Sequence, residues 1–252
     1  MTTTQFPTTS FAARVGSMLR LDFYRLTHTP ALGIALLIAG IIPAMVLTMT
    51  SAEGTAPPLT NTWQVVESEG RSDLAGNPLD MGAYASINMV FIFAGILLAI
   101  FVSRDYSSGF AKAIFTAHSK KIDYAISKTT VGLVGGTGMI LTYTAGAVLA
   151  GLFSGKAFDV NLGGLVMCLV AKTLLMGVFC PLFLCVAVFF KNRFWLTAIF
   201  TFLVGMMLYP AASIATLNAT PLTVLAALAA GAVGLLVFGA ASTRVLNQRD
   251  LA

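Results

Sequence analysis

Two histidines, three cysteines and ten carboxylates are the residues best able to do chemistry in this sequence, and their spacing fits no reaction centre. An intramembrane protease needs paired aspartates, a serine with a histidine, or a His-Glu-x-x-His zinc helix. Only His28 and His118 occur, both between apolar runs rather than within them. Cys168, Cys180 and Cys185 share one apolar run at separations of 12 and 5, which match neither a metal motif nor a redox pair. They read as small core hydrophobes. Gly151-Leu-Phe-Ser-Gly155-Lys156-Ala157 has the look of a phosphate-binding loop, but three residues separate its glycines where four are needed. Ala157 also stands where Ser or Thr would ligate magnesium. No nucleotide or metal site, and no enzyme activity, is expected on this chain. No Asp or Glu falls inside any apolar run, which disfavours proton- or sodium-coupled transport, since that relies on a titratable carboxylate at membrane depth. An uncoupled channel needs none.

The elements that hold these residues follow from composition. With 57% hydrophobic and 10% charged residues and a mean hydropathy of +0.87, the chain lies outside soluble composition, where about 25% charge is usual. A cytosolic enzyme, a disordered tail and a secreted disulfide scaffold are excluded. Apolar runs at about Pro30 to Thr50, Ala83 to Ser103, Ala125 to Phe153, Leu162 to Phe190, Phe194 to Tyr209 and Leu222 to Ala241 predict an all-α membrane protein of six spans. Spans and loops use up residues 1–252 as a single membrane domain. Met1 to Ser10 has no basic region leading into an apolar core, so no signal peptide is expected.

The balance of 15 Lys+Arg against 10 Asp+Glu does not point to nucleic acid, because the basic residues sit in short segments between apolar runs. Placing the N-terminus inside gives the inner side twelve basic residues and the outer side only Arg71 and Lys156. That asymmetry predicts both termini in the cytoplasm. Six acids then fall outside, giving an outer surface of formal charge −4. The fifteenth cation, Lys172, lies ten residues into the fourth run, near mid-membrane, where it costs roughly 2.5 to 3.5 kcal/mol and must face protein or water. Two readings stay open: it lines a pathway or holds an anionic group, or it pairs with carbonyls and side-chain oxygens inside the bundle.

Segments outside the spans add organisation. Phe11, Val15, Leu19, Phe23 and Leu26 recur at spacings of three and four with Arg14 and Arg25 off that stripe, predicting an amphipathic inner-surface helix over 11–27, or a plain basic anchor. Pro30 then starts the first span. The acidic outer loop from Ser51 to Gly82 predicts turns, 210–221 fits a re-entrant or interfacial hairpin, and Asn218-Ala219-Thr220 is a glycosylation tripeptide common by chance. Gly132 to Gly136 is a Gly-x-x-x-Gly pair that suits close helix packing. Between spans two and three, Ser107 or Ser108 is placed to cap a short helix bearing Phe110 and Ile114 on one edge, with basic residues at its end. Such an edge needs cover from lipid or from a protein groove.

Together these features resemble ABC-2 type transporter permeases, including small ones serving export of, or immunity to, peptide antibiotics. The resemblance rests on the inner amphipathic helix, the six spans, the segment Arg104-Asp105-Tyr106-x-x-Gly109-x-x-Lys112, Ser127-Lys128 and Cys168-x-x-Ala171-Lys172. It implies two permease subunits, as a homodimer or heterodimer, with two ABC ATPase subunits that carry the ATP and magnesium. It also implies that Arg104, Asp105, Tyr106, Gly109, Phe110, Lys112 and Ile114 couple to the ATPase. Spans two and five would flank the pathway, with Asn88 and Phe93 on one and Trp195, Phe200 and Met206 on the other as candidate lining. The implied activity is ATP-driven export of a hydrophobic or amphipathic substrate, such as an antimicrobial peptide, across a bacterial cytoplasmic membrane. A non-transporting membrane scaffold or sensor shares the same hydropathy; a secondary transporter or channel stands third.

Overall fold

The computed structural model describes residues 10–52, 87–116, 120–153, 162–190, 193–212 and 220–248, and every regular element among them is a helix. These are α1 (Phe11–Thr27), α2 (Pro30–Ala52), α3 (Met89–Ser107), α4 (Phe110–Thr116), α5 (Lys121–Phe153), α6 (Leu162–Phe190), α7 (Phe194–Ala212) and α8 (Pro221–Gln248). The acidic loop, the loop-like glycines at Gly155, His118 and most of the 210–221 segment lie outside the described residues.

Helix α1 starts at Ser10, whose Oγ accepts from the Ala13 N–H at 3.3 Å, and stops at His28. Pro30 opens α2 at the first helical position, where its missing N–H removes no helix bond. The two helices meet at 64°. Helices α3, α5, α6 and α8 are each long and apolar enough to cross a membrane; the bent α1–α2 pair makes a fifth candidate, and α7 adds a shorter apolar stretch, Phe194–Leu208. Among the described residues, four or five candidates thus stand where the apolar runs predict six.

Helix α3 is the centre. Of its apolar window 72% is buried, against 17% for the peripheral α8, and it packs on α5, α6 and α7. Glycine sets the closest approaches: a side chain on Gly146 of α5 would collide with the Gly40 backbone of α2, and one on Gly231 of α8 with the Leu174 carbonyl of α6. The Gly132–Gly136 pair faces Cys180 and Met176 of α6, which makes it the packing seam its spacing predicts.

Three local expectations are corrected. Helix α3 continues through Arg104, Asp105 and Tyr106, and α5 starts at Lys121, so carboxylates Asp105 and Asp123 are helical and buried within these two long elements. Ser107 and Ser108 do not cap α4: their hydroxyls donate to the Arg104 carbonyl, at 3.2 and 2.7 Å, and close α3. On α1 the fully buried row is Met18, Asp22 and Leu26, while Phe11 is 53% exposed, so the packed face is rotated from the apolar stripe and includes an acid.

Candidate functional site

Helices α1, α3, α4 and α5 converge at one end of the bundle on a charge cluster. Asp22 recurs four residues from Met18 and from Leu26, so α1 turns its carboxylate into the bundle with them. Lys128, one turn into the packed part of α5, is also fully buried. Its Nζ lies 2.7 Å from Asp22 Oδ1 and 2.6 Å from Asp105 Oδ2, and so joins α1 to the end of α3. Arg25 Nη2 lies 2.6 Å from Asp105 Oδ1, and Arg25 Nη1 lies 3.7 Å from Asp22. Hydroxyls complete the set: Ser127 donates to the remaining Asp22 oxygen, Oδ2, at 2.6 Å, and Tyr124 donates at 2.9 Å to Asp105 Oδ2, the oxygen that Lys128 also holds. Two anions and two cations make the quartet neutral, which is the condition for burying it.

Aromatic rings seal this quartet. The Arg25 guanidinium lies 4.0 Å over the Phe110 ring, and Lys128 Nζ lies 4.2 Å over Phe101. A separate pair, Arg14 Nε to Asp123 Oδ2 at 2.9 Å, fastens the first turns of α1 to the start of α5. The joint between α3 and α4 is two residues, Ser108 and Gly109, and Gly109 at φ +73° turns the chain in the left-handed region that favours glycine.

The structure gathers some sequence candidates here and separates others. Asp105 is buried and Tyr106 half-buried, both inside the cluster region. Phe110 and Ile114, the edge expected to lie open, are half-buried: Phe110 covers Arg25, and Ile114 packs on the core. Arg104, Gly109 and Lys112 remain exposed. Lys172 is fully buried and donates to Asn88 Oδ1 at 2.9 Å, so these two candidates meet each other in the interior at the other end of α3. Phe93 lines a groove between α2 and α3. Trp195 is 77% exposed, Phe200 is 43% exposed beside Phe190, and Met206 packs on Met89 and Ile92. No group of His, Cys, Asp and Glu suited to a metal occurs among the described residues.

Asp22, Arg25, Tyr124 and the Arg14–Asp123 pair escape the sequence reading. The signal for Asp22 is its place in the 18-22-26 row. Nothing in the sequence announces its partner 106 residues away.

The family model described as ABC-2 family transporter protein matches residues 18–208, three-quarters of the chain and the whole of this cluster. The chain belongs to the ABC-2 transporter family. No curated protein and no solved structure matches it. As an ABC-2 permease it is a multi-pass membrane component of an ABC transporter, working with a separate ABC ATPase. The cluster of this ABC-2 permease lies directly beneath α4, the short helix that its resemblance assigns to that contact.

Proposed function

We propose that this permease is one of two membrane subunits of an ATP-driven exporter, with six spans, both termini in the cytoplasm, and two ABC ATPase subunits supplying ATP and magnesium. The observation that carries the reading is the buried quartet. A push on α4 reaches Asp105 across the Gly109 joint, and Asp105 shares Lys128 and Arg25 with the surface helix α1. The docking face is narrowed to what α4 leaves open, Gly109 and Lys112 with Ala113 and Thr116, while Phe110 and Ile114 position α4 from behind.

The excess of inner basic residues favours the cytoplasmic placement of this end. The cargo is hydrophobic or amphipathic, and a cationic antimicrobial peptide suits it better than an anionic glycan, because an outer surface of −4 attracts cations. Phe93, Trp195, Phe200 and Met206 remain the proposed apolar lining around paired subunits. Asn88 and Lys172, bonded to each other, serve the interior. The test is ATP hydrolysis by the reconstituted permease and ATPase with and without a cationic amphipathic peptide. Stimulation supports export; a complex that assembles yet gives no stimulation by any amphipathic compound favours the scaffold reading.

A further inference from the structure

Along one seam of the molecule, two grooves follow each other. An apolar groove of about 200 Å³ runs between α2 and α3, lined by Ala31, Ile34, Ala35, Phe93, Leu97 and Ile100 among others. A second, of about 450 Å³, continues it between α1 and α3, lined by Arg25, His28, Thr29, Arg104, Ser107 and Ser108 among others. The register on α3 shows their continuity: Phe93, Leu97, Ile100, Arg104 and Ser107 recur at spacings of three and four, so they form one face.

Charge changes sharply along that face. Its first part is wholly apolar, and its second holds two guanidiniums, an imidazole and four hydroxyls. Arg25 is balanced within the neutral quartet, and its Nη1 is buried beside Asp22. Arg104 is exposed and joins no ion pair among the described residues, so it leaves the second groove with uncompensated positive charge. From Phe93 to Arg104 is eleven residues of helix, about 16 Å. Half of a bilayer's hydrocarbon is about 15 Å deep. A groove apolar over that depth and cationic just beyond it has the dimensions of one leaflet of lipid.

We propose that this seam binds one anionic phospholipid. An acyl chain lies in the α2–α3 groove and the phosphate lies at Arg104; the Thr29, Ser107 and Ser108 hydroxyls line the same pocket, their protons given to backbone carbonyls. The bend between α1 and α2 creates the site, because it lets the chain pass from surface to span while leaving the seam open beside α3. The proposal rests on reading α1 as a membrane-surface helix. A second permease copy explains the apolar groove alone, and leaves the unbalanced Arg104 without a role.

Native mass spectrometry of delipidated, detergent-purified permease titrated with phosphatidylglycerol or phosphatidylcholine of identical chains tests it. The wild type should retain phosphatidylglycerol in preference. Arg104→Gln should reduce that preference about fivefold, the weight of one basic residue at an anionic surface. Ile34→Ala with Ile38→Ala, at positions 58% and 42% exposed and therefore safe for folding, should weaken both lipids and leave the preference in place. An absent preference, or one unchanged in Arg104→Gln, overturns the proposal. So does displacement of phosphatidylglycerol by inorganic phosphate alone, which would make the pocket a simple anion site. Loss of permease dimer in the Ile34/Ile38 variant with lipid binding intact would assign the groove to a second copy and equally overturn it. Cysteine labelling of the two faces in cells reports independently on the placement of α1, so a failure of that reading is separable from a failure of the lipid site.

Discussion

Lys128 of α5 holds Asp22 of α1 at 2.7 Å with both side chains wholly out of contact with solvent. Because the same ammonium holds Asp105 at 2.6 Å, a single cation fixes α1 and the end of the central helix at once.

Removing that cation should leave two carboxylates facing one Arg. Lys128→Met is expected to cost about 3 to 5 kcal/mol, the usual penalty for breaking a buried pair from one side. Asp22→Asn with Lys128→Met restores neutrality and should recover part of the loss. Thermal unfolding of the purified permease checks it; a double variant as damaged as the sum of the two single ones would refute electrostatic coupling.

Lys112 is exposed on α4, whereas Phe110 and Ile114 face the permease itself. Lys112→Glu should therefore change stability by no more than about 0.5 kcal/mol, yet lower co-purification of the ATPase. Phe110→Asp with Ile114→Asp should instead lower the permease's own unfolding temperature. Undiminished ATPase capture by Lys112→Glu, in reversed charge, would remove α4 from the contact.

The proposed orientation rests on the basic asymmetry. In a background without Cys168, Cys180 and Cys185, single cysteines at Thr60 or Ser154 should react with impermeant reagents in intact cells, and those at Ser119 or Gln248 should not. Labelling at Ser119 from outside would invert the molecule and move the quartet to the wrong face for an ATPase.

Lys172 donates to Asn88 in the interior. Lys172→Met should leave the Asn88 amide short of a partner and cost roughly 1 to 3 kcal/mol, whereas Lys172→Arg should keep much of the stability and yield. If Lys172→Met assembles normally but loses stimulation by an anionic lipid or glycan, the residue belongs to the transport path and the cationic-peptide cargo loses support.

Hydropathy alone delimits α6, whose apolar run from Leu162 to Phe190 coincides with the helix, and periodicity places α1 at 11–27. The end of α3 and the start of α5 are not legible in that way, because hydropathy is low from Arg104 and over Lys121 to Tyr124 while both segments are helical. The charges there are met by other segments: Asp105 by Arg25 and Lys128, and Asp123 by Arg14. Spacing likewise reveals that Phe110 and Ile114 share an edge. What that edge meets, Arg25 in one case and the core in the other, is set by tertiary approach.

Helix α3 is gripped by polar contacts at both extremities. Asn88 at its first cap position is taken by Lys172, and Asp105 near its last turn by Lys128 and Arg25. Those two anchors stand 17 residues apart, about 26 Å of helix axis. Between them the rod is packed on three neighbours, so sliding it lengthwise must strain both anchors together, and tilting one end must lever the other. Only Ser108 and Gly109 separate this rod from α4, so little chain lies between the two helices. The helix therefore stands as a strut pinned at both ends, by the buried lysine at one and by the ion quartet at the other.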